Sequence, residues 1–515
     1  MKCLPVLLVA FAPSFVRAQV WAGYAHDPEH TGTSTTAAQR LNAKHWCTPV
    51  DQNPPGGGAL QQVDCAGGTG GGTGPLYVHY GSPVVTAANT VIVPVTLASG
   101  VYELRAFNGA TGAAVYTASS CNTSGCYVPP SVSSGWTPPY GPALSLGTRI
   151  YYPGPGGTIF YRSPDSAAST AGEVAFYGTT LYNNNQAAFN GTVQITTPLT
   201  ADRSGNIFFG FQVTGSNPAS LPTGGGIARV SLAGTGIWKY ASALTGDSLI
   251  AYNASPVLGN TQATVYVATT NGSTGNLALL NATTLAPMGS VPLSDPRGGS
   301  YGLAMIYNGS SAAPMAGPDG DVYFGVLEGS FPSHNDRGWL LHFNSTLTQT
   351  KTPGSFGWDS TPSVVPSSAV PSYTGTSSYL IVTKYNNYAN FGIGNGQNQV
   401  AVLDPSATMP DEYSYGGTVA TVMKEVITVT GVTPNTGLSG VREWCINSAA
   451  VDPYTKAAII NSEDGTVYRW DFTSNSLSQS LNLTPGRGEA YTPTVIGPDG
   501  TVFAINDAIL FAVGN

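Results

Sequence analysis

Charge is what this sequence has least of. Only 9% of its 515 residues are Asp, Glu, Lys or Arg, where an average soluble protein carries about 25%. A chain so short of Lys, Glu and Arg lacks the material of helical bundles and coiled coils. Basic residues number 19 against 27 acidic ones, with no basic run, so nucleic acid is not an expected partner. The six histidines (26, 30, 45, 79, 334 and 342) show no ligand spacing within a strand, and no C-x-x-C occurs. No metal site is expected from that pattern. Nor does any apolar run approach the roughly 18–20 residues that cross a bilayer, so no transmembrane segment is expected.

What is present points to strands. Glycine (64) and proline (38) are frequent, and 42% of the chain is hydrophobic, ample for a core. Gly, Thr, Ser, Val and Tyr together describe a soluble all-β protein with many turns.

Met1-Lys2 gives a short positive start, residues 4–15 are mostly apolar, and Val16-Arg17-Ala18 carries the small residues read by a signal peptidase. Residues 1–18 are therefore expected to be an export signal, and the mature chain a secreted or periplasmic monomer. Cys3 leaves with the signal. Cys121 and Cys126 flank the flexible turn Asn-Thr-Ser-Gly and are expected to bridge. Cys47 and Cys65 then pair by default across a Gly/Pro-rich segment, leaving Cys445 odd.

The organising feature is an internal repeat. Eight times a small residue, usually followed by proline, opens a short apolar strand: Ser82, Gly141, Thr197, Ser255, Ala313, Thr361, Ser448 and Thr492. Six of the seven spacings lie between 44 and 59 residues; the remaining one, 87, holds an insertion at about 386–440. Each start is followed by a β-branched or aromatic second strand and then a third, which usually ends on a short polar residue such as Asn108, Asn281 or Asp471. A weaker fourth strand closes most units. Four strands per unit at this period predict a β-propeller of eight four-stranded antiparallel blades. The last unit stops after three strands, so residues 44–50 are expected to supply its outer strand and close the ring. Residues 19–75 then form an N-terminal arm with a Gly-rich loop, and 76–515 the propeller.

The run Ala106-Phe107-Asn108-Gly109-Ala110-Thr111-Gly112-Ala113-Ala114-Val115-Tyr116 resembles the blade motif A-x-D-x-x-T-G-x-x-x-W of pyrroloquinoline-quinone-type propellers. Asn108 stands at its Asp and Tyr116 at its docking Trp. Residues 21–32, with Trp, Tyr, Asp, His, Thr and Gly at intervals, also look like the beginning of such a propeller. The resemblance implies an eight-bladed quinoprotein-like fold. Dehydrogenases of this class typically set an adjacent Cys-Cys disulfide over the quinone, with acidic and Asn ligands on Ca²⁺ and an Asp as base. This chain has no adjacent cysteines. No cofactor is expected, and pyrroloquinoline quinone with Ca²⁺ belongs to the alternative, an oxidoreductase.

Other motif strings carry no chemistry. Gly298-Gly299-Ser300-Tyr301-Gly302 matches the esterase G-x-S-x-G, but no helix-forming stretch follows it. Eight N-x-S/T sequons (Asn122, Asn190, Asn253, Asn271, Asn281, Asn308, Asn344, Asn482) mark glycosylation acceptors in a eukaryotic host.

The scarce charges are the sharper signal. In a propeller, the segments leading into first strands and those joining second to third strands share one face, the usual ligand face. Leading into first strands are Tyr80, Tyr140, Tyr252, Trp358, Asp359, Arg442, Glu443, Trp444, Glu489 and Tyr491; the second-to-third loops add Arg337 and Lys384. Aromatic faces beside Arg and carboxylates suit a polar, ring-bearing ligand, a polyhydroxy compound or carbohydrate. Were the site catalytic, Asp359 or Glu443 would be the base, Arg442 or Lys384 the electrostatic stabiliser and Trp444 a stacking platform. The second alternative is a scaffold for protein partners built on the 386–440 insertion.

Overall fold

A computed structural model describes residues 20–52, 81–131, 138–307, 309–310, 312–329, 337–414, 418–484 and 491–515. Residues 1–18, expected to be an export signal, and Cys65, Tyr80 and Glu489 lie outside the described residues. Eight antiparallel sheets form an eight-bladed β-propeller. Blade 1 runs outward from Val84–Val85 through Thr90–Thr96 and Tyr102–Asn108 to Ala114–Ser119. Blade 6 comprises Ser363–Pro366, Tyr379–Tyr385, Gln399–Pro410 and Thr421–Thr430. Blade 7 comprises Ala450–Asp452, Ala457–Asn461, Thr466–Asp471 and Ser476–Asn482. In blade 5 the fourth position is held by two isolated bridges, Phe343 to Thr350 and Leu340 to Gly354.

Burial follows position in the blade. Second strands lie between two neighbouring blades, so both faces are covered: every residue of Thr90–Thr96 and of Ile207–Val213 is buried. They therefore read as continuous apolar runs. The outermost strand of blade 7, Ser476–Asn482, alternates exposed and half-buried residues, as a strand with one wet face does.

Ring closure is by the N-terminal segment. Ala43–Pro49 pairs antiparallel with Ile509–Gly514, Ala43 opposite Gly514 and Pro49 opposite Ile509. Trp46 seals the seam between the last and first blades. Its ring packs on Phe503 and Phe107, with centroids 6.0 and 5.6 Å away, and its indole N–H donates to the Gly109 carbonyl at 2.8 Å. Gly112, at φ +71°, leaves room for it; a Cβ there would lie 2.8 Å from Trp46 Cβ.

The blade-1 motif works as a turn. Asn108 Oδ1 accepts from the Ala110 and Thr111 amides at 3.1 and 3.0 Å, so Asn replaces Asp without loss of the cap. Asn281 and Asp471 make the same turn in blades 4 and 7. Tyr116, at the docking position, lies against the Arg162 guanidinium of blade 2, 3.6 Å from the ring centroid.

One feature is absent from the sequence reading. Residues 21–39 lace around the ring at the far ends of the first strands. Trp21 exchanges backbone hydrogen bonds with Val85 of blade 1, and Leu144 of blade 2 donates to Ala22. Leu258, Ala316 and Val364 of blades 4, 5 and 6 donate to Pro28, Glu29 and Thr31. Val451 of blade 7 donates to Gly32, and Gln39 donates to Gly500 of blade 8. Gly32 has φ +63°, and a Cβ on it would lie 2.7 Å from Ser363 Cβ. The segment covers the face opposite the predicted ligand face.

The 386–440 insertion contributes two long strands. It lengthens the third and fourth strands of blade 6 to Gln399–Pro410 and Thr421–Thr430. The segments 386–398 and 431–441 are tied together where Val441 donates to the Gly396 carbonyl and Asn398 Nδ2 donates to the Val441 carbonyl. Among the described residues no helix is long and apolar enough to cross a membrane.

Candidate functional site at the channel mouth

Segments leading into first strands converge on the channel axis, and those of blades 6, 7 and 8 bring a set of polar side chains together. Asp359 approaches the first strand of blade 6 with φ +57°, a left-handed backbone that Asp tolerates better than most residues. Tyr388, in the second-to-third loop of blade 6, ties the set together. Burial pushes its hydroxyl well above the usual phenol range, and the fields of Glu443, Cys445 and Asp359 push the same way. The fields of Asp359 and Glu443 thus both reach one hydroxyl.

Cys445 follows Glu443 on the approach to blade 7. It is a buried thiol outside any disulfide, with Sγ 3.6 Å from Glu463 Oε2 and 3.9 Å from the Tyr491 hydroxyl. The donor atoms of Glu443, Cys445 and Glu463 lie within 4.8 Å of one another. From the channel floor, Tyr24 of the lacing segment reaches up between blades 6 and 7. Its hydroxyl bonds to Thr361 Oγ1 at 2.7 Å and donates to Asn447 Oδ1. Burial raises it above the phenol range, the two hydrogen bonds oppose that, and Asp359 adds to it. Carboxylates, phenols, a thiol and the Lys384 ammonium at one mouth can hold hydroxyl groups and pass protons.

The other predicted residues are placed as follows. Trp358 and Arg442 are half-buried beside Asp359 and Glu443. Arg442 Nη2 is 3.5 Å from Thr436 Oγ1, so its guanidinium leans toward the 431–441 loop. Trp444 is 1% exposed; its indole N–H donates to the Asn398 carbonyl at 3.2 Å and its ring meets Tyr468 edge-on. Its faces are spent on the blade-7 core, which differs from the stacking role expected of it. Arg337 does not lean over the mouth. It is fully buried, stacked 3.8 Å from the Tyr413 centroid, with Nε donating to the Ser355 carbonyl and Nη1 to the Asn386 carbonyl. Tyr140 and Tyr252 belong to blades 2 and 4. Burial raises both phenols, Tyr252's to about 12, and Tyr252 donates to Gln212 Oε1. No contact among the described residues joins them to the blade 6–8 set.

Tyr388 belongs to the same second-to-third loop as Lys384, while Glu463 and Asn386 complete the site without having been singled out. Glu463 sits in the second-to-third loop of blade 7, between Ala457–Asn461 and Thr466–Asp471. The rule that picked Lys384 in blade 6 would have found it.

Two other clefts, of about 390 and 530 Å³, flank the outer edge of blade 5. Their charges are already matched. Lys351 and His342 both bond to Asp321 Oδ2, and buried Arg297 binds Asp295 at 2.8 Å and Glu328 at 3.0 Å. The channel mouth is the better candidate.

Cys121 and Cys126 are bridged, between the paired strands Cys121–Asn122 and Gly125–Cys126, and Cys47 is also disulfide-bonded. A quinone cofactor needs flat walls above and below its ring system. The indole of Trp444 is enclosed, and the 121–126 bridge joins cysteines that are not adjacent. Neither Trp444 nor the 121–126 bridge supplies such a wall, and no step is derived through that group.

No family model and no curated protein matches the sequence. Solved structures do resemble the fold. A quinohemoprotein alcohol dehydrogenase from Comamonas testosteroni aligns over 98% of this chain and 78% of its own, at 11% identity and TM-score 0.55. The quinohemoprotein alcohol dehydrogenase ADHIIG from Pseudomonas putida HK5 aligns over 97% and 76%, at 9% identity and TM-score 0.51. Sqt1 of Saccharomyces cerevisiae aligns over 93% and 100%, at 8% identity and TM-score 0.50. Identities this low carry the architecture and nothing finer. The chain is an eight-bladed β-propeller with the fold of the quinoprotein alcohol dehydrogenases.

Proposed function

We propose that this protein is an exported propeller that binds a small polyhydroxy compound, free or at the end of a glycan, at the mouth of its channel on blades 6 to 8. The observation that carries this reading is the gathering of Glu443, Cys445 and Glu463, with donor atoms within 4.8 Å of one another and the Tyr491 hydroxyl 3.9 Å from Cys445 Sγ, in a chain where charge is scarce. Carboxylates accept hydroxyl hydrogens in pairs, and Tyr491 offers a ring edge at the same rim. The Cys121–Cys126 bridge suits an oxidising compartment. An oxidoreductase of quinoprotein type is supported by fold likeness alone and is the second reading.

A panel of monosaccharides and sugar acids, titrated by calorimetry into wild type, Asp359→Asn and Glu443→Gln, tests the reading. The expected result is saturable binding by at least one sugar, weakened in both variants by about 10- to 100-fold. Binding that survives both substitutions, or no binding by any of them, overturns it. A visible chromophore that co-purifies and exchanges with added quinone and Ca²⁺ would favour the second reading.

A further inference from the structure

We infer that Arg337 and Asn386 form a buried bracket that sets the two arms of the channel mouth against each other. Arg337 holds the arm that carries Asp359 and, through Asn386, the arm that carries Glu443 and Cys445. The inference rests on the binding reading above and adds the residues that position its site.

Arg337 is fully buried just before Trp339–Phe343, the third strand of blade 5. Its Nε donates to the Ser355 carbonyl at 3.0 Å and its Nη1 to the Asn386 carbonyl, while Nη2 is buried without a hydrogen-bond partner. An enclosed guanidinium held by carbonyls, with one nitrogen unmet, is a costly way to fill space. Methionine would fill it without that cost. What the fork supplies is direction, because its N–H groups leave a rigid plane at fixed angles.

The main chain of Arg337 holds the first arm. Its carbonyl accepts from the Gly357 and Trp358 amides at 3.0 and 3.1 Å, the two residues that precede Asp359. Asn386 holds the second. It is fully buried, and its side chain meets both main-chain groups of Trp444. Nδ2 donates to the Trp444 carbonyl and Oδ1 accepts from the Trp444 N–H, each at 3.0 Å. Trp444 lies between Glu443 and Cys445, so the two bonds fix the peptide units on which both side chains are mounted. Nδ2 also lies 3.3 Å from the Tyr388 hydroxyl. A single run of buried bonds thus joins blades 5, 6 and 7 beneath the mouth. Arg337 and Asn386 are positioning residues that act through the groups they hold.

Cys445 reports on the second arm, because its thiol lies outside any disulfide and is 2% exposed. In native protein a maleimide reaches such a thiol only when the arm opens. Labelling of Cys445, located by peptide mapping well below every melting temperature, is compared in wild type and three variants. Arg337→Lys keeps the charge and loses the fork. Asn386→Leu keeps the volume and loses both bonds to Trp444. Trp46→Ala loosens the seam between blades 8 and 1 instead. The expected result is labelling about tenfold faster in both bracket variants and within about twofold of wild type in Trp46→Ala. A sugar that binds wild type should bind both bracket variants about tenfold more weakly. A wild-type labelling rate in either bracket variant that folds, or equal acceleration in Trp46→Ala, overturns the inference. So does unchanged sugar affinity despite faster labelling, since the bracket would then hold the arm without serving the site. If no sugar binds wild type, the binding reading fails, and the labelling rates still decide the bracket.

Discussion

Trp46 is the residue on which ring closure turns, and removing it is the sharpest test of the fold. Trp46→Ala deletes an indole that is only 9% exposed and touches both sides of the seam, Phe503 of blade 8 and Phe107 of blade 1. Emptying such a site costs about 3–5 kcal/mol, and the lost bond to the Gly109 carbonyl lies within that range. Trp46→Phe keeps most of the ring contact and loses the N–H donor, so it should cost about 1 kcal/mol. For a chain this long, each kcal/mol should move the melting temperature by roughly 1–2 °C, extending the usual size scaling. Calorimetry should therefore show a fall of about 3–10 °C for the alanine variant and about 1–2 °C for the phenylalanine one. Hydrogen exchange should quicken at Ala43–Pro49 and Ile509–Gly514, the pair that closes the ring. A Trp46→Ala protein that melts with wild type, or whose faster exchange lies in other blades, would refute the reasoning.

Three further outcomes follow from the lacing segment and the thiols. Gly32→Ala must place a side chain at φ +63° against Ser363 and should cost at least about 2 kcal/mol in urea unfolding; an unchanged midpoint counts against the lacing. Burial pushes His30 down from 6.5 to about 4, against the opposing bond to the Pro314 carbonyl. The folded chain then binds fewer protons than the unfolded one between those values, so stability is full above pH 6.5 and falls as pH drops toward 4, by up to about 3 kcal/mol. His30→Gln should flatten that slope, and parallel pH profiles would contradict it. Alkylation of unreduced, denatured protein should mark Cys445 alone, the buried thiol outside any disulfide. Opening the short Cys121–Cys126 loop should cost only about 2 kcal/mol, and a peptide map that pairs Cys445 would overturn the assignment.

The ring was legible because each blade repeats one local pattern. Small residues before proline, continuous apolar second strands and short polar residues ending third strands are local signals, and the strands Thr158–Arg162 and Trp339–Phe343 fall where the pattern put them. The closing strand was legible by a count, three strands in the last unit where four are needed. The lacing of residues 21–39 was not, because its bonds run from backbone to backbone across seven blades and leave no side-chain pattern. At the mouth, blade topology picked out Glu443, whose carboxylate lies with Cys445 and Glu463. It could not tell which way a side chain turns. Trp444 and Arg337 sit at predicted positions but point into packed interiors, where Tyr468 and Tyr413 meet them. Lys384 and Arg337 looked alike in sequence; the structure sets Arg337 among the Ser355 and Asn386 carbonyls and Lys384 between the rings of Phe356 and Tyr491.

The central claim is that the mouth on blades 6 to 8 is the ligand site. A crystal structure of the protein soaked with D-glucuronate tests it most directly. The account predicts the sugar acid seated there, with its hydroxyls on Asp359 and Glu443. Glucuronate found instead in the outer cleft beside Lys351, or over the lacing segment on the opposite face, would contradict it.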